Sequence, residues 1–275
     1  MLQKSGTPAD AGLAVGAARR DTLRKPGLGL IGVGAFGSFC IPHLKDHFEV
    51  HIADMRPDLQ ALADRYGVQA AGLTDAAAQD IVVLAVPWRS LDKVARDIAP
   101  FLKTGAVIVE VCSIKVRPLE LLRAILPDRV SIVGTHPMFG PQSGRDGIAG
   151  LNVAVCPVPG QRAAARRVGR FLQSVPGLNV VEVGAEAHDR QMARVQGLTH
   201  FIARTMMALE QDEEAPLPGL STSTWDHLMR MVDTVRHDSE ALVGTITGDN
   251  PFAKEARDRF LREAAAFGQA DPPAR

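Results

Sequence analysis

Three groups of residues in this chain have the types and spacing to do chemistry together. The first is Gly32-Val33-Gly34-Ala35-Phe36-Gly37, directly after a short apolar run. In such a string the first glycine permits a tight turn, the second lets the backbone approach a pyrophosphate, and the third lets helix and strand pack closely. A helix opening at Ala35 and Phe36 presents free N–H groups and a positive dipole end to phosphate. Asp54 stands 22 residues after Gly32 at the end of the next apolar run, where a carboxylate can accept hydrogen bonds from ribose hydroxyls. That favours NAD over NADP, because a carboxylate repels a 2′-phosphate. Arg56 is the nearby group that would instead grip such a phosphate. Val86 and Pro87 close a further apolar run and fall at the cofactor edge by topology, with Trp88 beside them in a packing or binding role.

The second group carries proton chemistry. His136 follows the apolar stretch Val130–Gly134 and precedes Pro137, so the chain is expected to leave the sheet there. An imidazole at the carboxyl edge of a sheet, with an ordinary pKa of roughly 6.5, suits removing a proton from an alcohol while hydride leaves its carbon. Ser113, in Glu110-Val-Cys-Ser113-Ile-Lys115, ends the neighbouring strand and can share a hydrogen bond with that alcohol or with the imidazole. The third group, His188-Asp-Arg-Gln-Met192, continues to Gln196 and His200 on a long helical stretch. By residue type alone, a single histidine such as His136 is as readily a satisfied structural group as a catalyst.

Elements that can position these groups follow from the patterning. Leu28–Val33, Ile81–Val86, Ala106–Val111, Val130–Gly134 and Leu151–Val155 are short apolar runs of buried-strand type, and Glu49–Ala53 and Asn179–Val183 read as two further strands. Helical segments stand between most of them, at about Ala35–Asp46, Asp58–Tyr66, Trp88–Ile98, Leu119–Leu126 and Ala163–Leu172. The fold class predicted is α/β, a doubly wound parallel sheet of Rossmann type, followed by a smaller all-helical domain. Residues 1–27 read as a mobile extension, 28–184 as the dinucleotide-binding domain, and 185–275 as a helical domain for substrate and dimerisation. In the helical part, Glu186 to about Glu210, Trp225–Val243 and Pro251–Phe267 read as helices, with a break at Pro216–Gly219. Met192, Val195, Leu198, Ile202, Met206 and Leu209 form an apolar stripe that must be buried on one face. The stripes exceed what so few helices can cover, which points to a homodimer.

Composition narrows the function classes. The 275 residues carry 31 basic and 31 acidic side chains, a formal net charge of zero, without the basic excess of a nucleic-acid binder. No apolar run approaches the ~20 residues that span a bilayer, and a cytoplasmic protein is expected. Three scattered cysteines, Cys40, Cys112 and Cys156, suggest neither a disulfide framework nor a metal site and read as buried thiols.

Three blocks together carry a resemblance. Thr135-His-Pro-Met-Phe-Gly-Pro-Gln142-Ser143-Gly144, the earlier Cys112-Ser-Ile-Lys115 and the later His188-Asp-Arg-Gln-Met-Ala-Arg-Val-Gln-Gly-Leu-Thr-His200-Phe201 resemble the signatures of prephenate and arogenate dehydrogenases. The likeness runs from about Leu28 to about Phe260. It implies an oxidoreductase using NAD, or NADP, for an oxidative decarboxylation. It also implies that His136 engages the substrate's ring hydroxyl, that Ser113 supports it, and that His200 and Gln196 reach the substrate from the helical domain. Gln142 and Ser143 lie in the same block and are candidate substrate contacts. His188 reads instead as a cap at the helix start, satisfied by Asp189 and Arg190. The chain departs from the family at the arginine that meets the substrate carboxylate: Thr234 falls there, and Arg230, one turn earlier, or Arg236 is the substitute. Alternatives are an amino-substituted prephenate analogue as substrate, a β-hydroxyacid or imine-type reductase, and a non-catalytic dinucleotide sensor.

Overall fold

The computed structural model describes residues 25–212 and 220–269. Most of the predicted extension and the break at Pro216–Gly219 lie outside the described residues. Eight strands form, all of four to seven residues except the two-residue β3: β1 (Gly27–Ile31), β2 (Glu49–Ala53), β3 (Gln69–Ala70), β4 (Ile81–Leu84), β5 (Val107–Glu110), β6 (Ser131–Pro137), β7 (Asn152–Pro157) and β8 (Asn179–Glu182). They form one sheet in the order β3-β2-β1-β4-β5-β6-β7-β8. Six of the seven pairings are parallel, and β6 with β7 is antiparallel. The expectation of an all-parallel sheet is corrected at that one joint. The 138–151 connection holds no helix to carry the chain back across the sheet, so β7 returns beside β6 in the opposite sense.

Helices cover both faces. On one, α1 (Ala35–Leu44) and α2 (Leu59–Tyr66) bury Ile41, Leu62 and Ala63 against Leu28, Leu30, Val50 and Ile52. On the other, α3 (Leu73–Ala77), α4 (Leu91–Ile98) and α5 (Val116–Ile125) cover Ile31, Val82, Leu84 and Ile108. The helix α6 (Arg162–Ser174) backs β6 to β8. Strand β3 and helix α3 were not foreseen; their sequence is Ala-rich and too short for either period to register.

After β8 the chain is helical: α7 (Ala185–Met192), a π-helical turn Ala193–Gly197, α8 (Leu198–Asp212), α9 (Ser223–Arg236), α10 (Glu240–Gly244), a second π-helical turn Thr245–Asp249, and α11 (Ala253–Gln269). The single helix expected over Trp225–Val243 is broken, because Ser239 caps a new helix by accepting from Leu242 N–H. This chain covers the apolar stripe only in part. Met192 is buried, but Val195 is 52% and Leu209 51% exposed within this chain, and Ala203 takes the buried position instead.

Candidate active site

The glycine turn has three distinct local environments. Gly32 has φ of +92°, and a Cβ there would lie 2.6 Å from the Ala85 carbonyl oxygen, so only glycine fits. At Gly34 a Cβ would meet nothing within 4 Å: the backbone faces open space. At Gly37 a Cβ would stand 2.0 Å from the Gly32 carbonyl oxygen, so helix and turn are in direct contact. Gly34 is the N-cap of α1 with no side-chain cap, and Gly34 and Ala35 are exposed while Phe36 is half-buried. The first amides of α1 therefore point outward unsatisfied, as an anion-binding helix start requires.

Asp54 extends this cradle. Its Oδ2 accepts from Val33 N–H at 2.7 Å and its Oδ1 from Arg56 N–H at 3.0 Å, which fixes the carboxylate beside the glycine turn. Each oxygen keeps a lone pair for a further donor. A dinucleotide fits this set of groups: open backbone for the pyrophosphate and a pinned acceptor for ribose hydroxyls. The half-buried Val86 and exposed Pro87 follow β4, the strand next to β1.

His136 is placed differently from expectation. It lies within β6, not after it, paired with Ala154, and is 3% exposed. Pro137 does not end the strand before it, because the antiparallel partner β7 extends the ladder to Pro137–Val153, and a proline is tolerated at a terminal strand position. His136 Nδ1 lies 2.9 Å from His188 Nε2, and His188 Nδ1 lies 2.8 Å from Asp189 Oδ1. His188 and Asp189 are buried. The carboxylate only accepts, so His188 carries its proton on Nδ1 and presents Nε2 as an acceptor. His136 then donates from Nδ1, and its Nε2 is left as a bare acceptor. Burial, with His188 and then Lys115 nearby, holds the His136 pKa well below its usual value, so the ring is neutral at ordinary pH.

Asp189 does more than orient His188. Its carboxylate accepts from Lys115 N–H at 2.8 Å and Val116 N–H at 2.9 Å, capping α5. Its carbonyl accepts from Asn250 Nδ2 at 2.9 Å, which ties the second π-helical turn to the same point. Lys115 is fully buried, pairs with Glu110, and donates to the Thr135 carbonyl at 2.6 Å. Desolvation pushes the Glu110 carboxyl upward against the opposing pull of Lys115. Reading His188 as a local cap captured its bond to Asp189 and missed its bond to His136. The adjacent His188-Asp189 pair was the available signal, since an imidazole with a carboxylate at hand is a common orienting unit.

The remaining predicted residues scatter around this centre. Ser113 is half-buried in the β5–α5 connection, three residues past Glu110, which pairs with Gly134. It stands at the strand end beside that of His136, while the His136 Nδ1 contact goes to His188. Gln142 and Ser143 are exposed on the loop after β6, where Ser143 Oγ accepts from Gly140 N–H at 3.0 Å. Phe139 meets Phe39 of α1 with ring centroids 6.4 Å apart, so the start of this loop packs on the phosphate-side helix. Gln196 is half-buried in the first π-helical turn, a feature frequent at functional sites. His200 is buried with both ring nitrogens engaged, Nδ1 with the Gln196 carbonyl at 2.9 Å and Nε2 with Asp238 at 3.0 Å. Arg230 is exposed on α9, and Arg236 is paired with Glu210 and Asp233.

Comparison with known proteins adds a separate line. Residues 44–154 match the family described as "Prephenate dehydrogenase, nucleotide-binding domain". The chain is 31% identical over 242 residues to arogenate dehydrogenase 2, chloroplastic, of Arabidopsis thaliana, covering 85% of this chain and 66% of that protein. It is 30% identical over 203 residues to 4-amino-4-deoxyprephenate dehydrogenase of Streptomyces pristinaespiralis, covering 70% and 64%. Among solved structures, prephenate dehydrogenase from Aquifex aeolicus in complex with hydroxyphenyl propionate and NAD+ superposes with a TM-score of 0.71 at 19% identity, covering 89% of this chain and 90% of that one. Across the leading curated relatives the chain spans from 37% to 66% of their length.

Proposed function

The chain belongs to the prephenate and arogenate dehydrogenase family, and on that premise we propose that it is an NAD-dependent dehydrogenase acting by oxidative decarboxylation on a cyclohexadienol. The substrate is prephenate, giving 4-hydroxyphenylpyruvate, or arogenate, giving tyrosine. A 4-amino-substituted prephenate is the second reading, favoured by the Streptomyces relative. Residues 28–184 supply the cofactor half and residues 185–275 the substrate half, and the reaction runs in the cytoplasm. Three free cysteines suit that reducing compartment.

The observation that carries the reading is the oriented chain Asp189–His188–His136, with the His136 Nε2 left as an acceptor. Bound NAD supplies the acceptor for hydride leaving the carbinol carbon. His136 Nε2 takes the hydroxyl proton as that bond breaks. His188 holds the imidazole in the tautomer that can accept, and Asp189 holds His188 and stabilises the positive charge that arrives. Ser113 hydrogen-bonds the same hydroxyl. Loss of the ring carboxylate as CO2 then gives an aromatic product and drives the step forward. His200, Gln196, Gln142, Ser143 and an arginine, Arg230 first, bind the rest of the substrate. For His200 that requires releasing Asp238 from Nε2.

The test mixes the protein with NAD and each candidate substrate and follows reduced cofactor by absorbance. His136→Ala is expected to lose at least ~100-fold in kcat; an unimpaired variant refutes the role. The half-exposed Val195 and Leu209 support a homodimer through the helical half, and a monomeric mass by light scattering overturns it.

A further inference from the structure

Beside the glycine turn, Arg56 is held by two carboxylates and a carbonyl. Its Nε and Nη2 donate to the two oxygens of Asp58 at 2.6 and 2.7 Å, and its Nη1 donates to the Val33 carbonyl at 2.9 Å. Its own N–H binds Asp54. The guanidinium fork is thereby spent on a bidentate carboxylate, the geometry it would need for a phosphate. Both Arg56 and Asp58 side chains remain partly open to solvent, at 31% and 59% exposure. The three side chains carry a net charge of −1 where the adenosine ribose hydroxyls meet Asp54.

We infer that Asp58 is a specificity-determining residue that latches Arg56 away from the 2′ position and makes this chain select a dinucleotide with a free 2′-hydroxyl over its 2′-phosphorylated form. The inference rests on the dinucleotide reading of this site and adds a residue to it. Asp54 alone repels a 2′-phosphate, but an arginine two residues away would offset that repulsion if its fork were free. Asp58 removes the offset twice over, by occupying the fork and by adding a second negative charge. Asp58 precedes α2, and its side chain makes no capping bond to that helix; Arg56 is its main partner, beside its own backbone N–H and the charge of Arg65. Asparagine at the same place keeps the helix-start preference and removes the charge.

The test is a fluorescence titration of the full chain with NADH and with NADPH, with no substrate present. Wild type is expected to bind NADH more tightly. In Asp58→Asn the ratio of the NADPH to the NADH dissociation constant is expected to fall about tenfold, the size of one nearby charge at a partly screened site. Adding Arg56→Ala to that variant is expected to abolish the gain, because the freed fork is what binds the phosphate. A ratio unchanged in Asp58→Asn, or a gain that persists without Arg56, overturns the latch while leaving NADH binding intact. Failure of wild type to bind either dinucleotide overturns the dinucleotide reading itself, and the latch with it.

Discussion

Replacing His188 by phenylalanine isolates the orientation of His136 from its presence. The variant keeps a planar ring of similar size in a buried position, so the cavity cost is small. Asp189 loses one donor of three but retains Lys115 N–H and Val116 N–H, so α5 stays capped. What disappears is the acceptor 2.9 Å from His136 Nδ1. A neutral imidazole must carry one proton, and without His188 the proton moves to Nε2, where it faces the substrate hydroxyl as a donor. Restoring the reactive tautomer then leaves a buried N–H unsatisfied, at about 1–3 kcal/mol. At about 1.4 kcal/mol per factor of ten, kcat should fall about 5- to 150-fold. Absorbance of reduced cofactor at saturating substrate, from pH 5 to 8, measures it. The acid limb should also move, since His188 is one of the groups holding the His136 pKa down; removing it shifts the limb toward higher pH. A kcat within twofold of wild type, with the same acid limb and an intact melting transition, would refute the reasoning.

Three further outcomes follow from the same geometry. His136 is neutral in the fold but charges when unfolded, so its contribution to stability is complete above about pH 6.5 and is lost as pH falls below it. Urea unfolding at pH 7 and 5.5 should show wild type losing about 1 kcal/mol more than His136→Asn, and equal losses would exclude the shift. The glycines separate binding from folding: Gly34→Ala has room for its Cβ and should melt normally while binding NADH at least ~10-fold more weakly, whereas Gly37→Ala drives a Cβ onto the Gly32 carbonyl and should cost about 2 kcal/mol or more in stability. Calorimetry and NADH titration on both variants would expose a reversed pattern. Lys115→Met strands the buried Glu110 carboxylate and should cost about 3–5 kcal/mol, largely recovered by adding Glu110→Leu. A mild single variant would mean Glu110 finds another partner.

The alternation of strands and helices around the glycine turn was readable because β1 and β4 are largely buried apolar runs and each crossover there is a helix. The same reasoning failed where two-residue β3 and Ala-rich α3 offer too few residues for a period. It also failed at Pro137, where strand length was set by the antiparallel neighbour β7 rather than by local preference. The apolar stripe on α8 was legible as a pattern, but not which of its members this chain covers.

The sequence by itself determined the chemistry available: a glycine turn with an acidic partner at Asp54, an imidazole at the end of a buried strand, and blocks that resemble one enzyme family. Those depend on residue type and local spacing, which the chain states directly. Only the tertiary structure decided which nitrogen of His136 is free and that Asp58 occupies the fork of Arg56. It also showed Asp189 joining α5 and α7 through its carboxylate and the turn before Asn250 through its backbone carbonyl. His136 and His188 are separated by 52 residues, and the directions of hydrogen bonds between such distant groups exist only once folding has brought them together and excluded the water that would otherwise satisfy them.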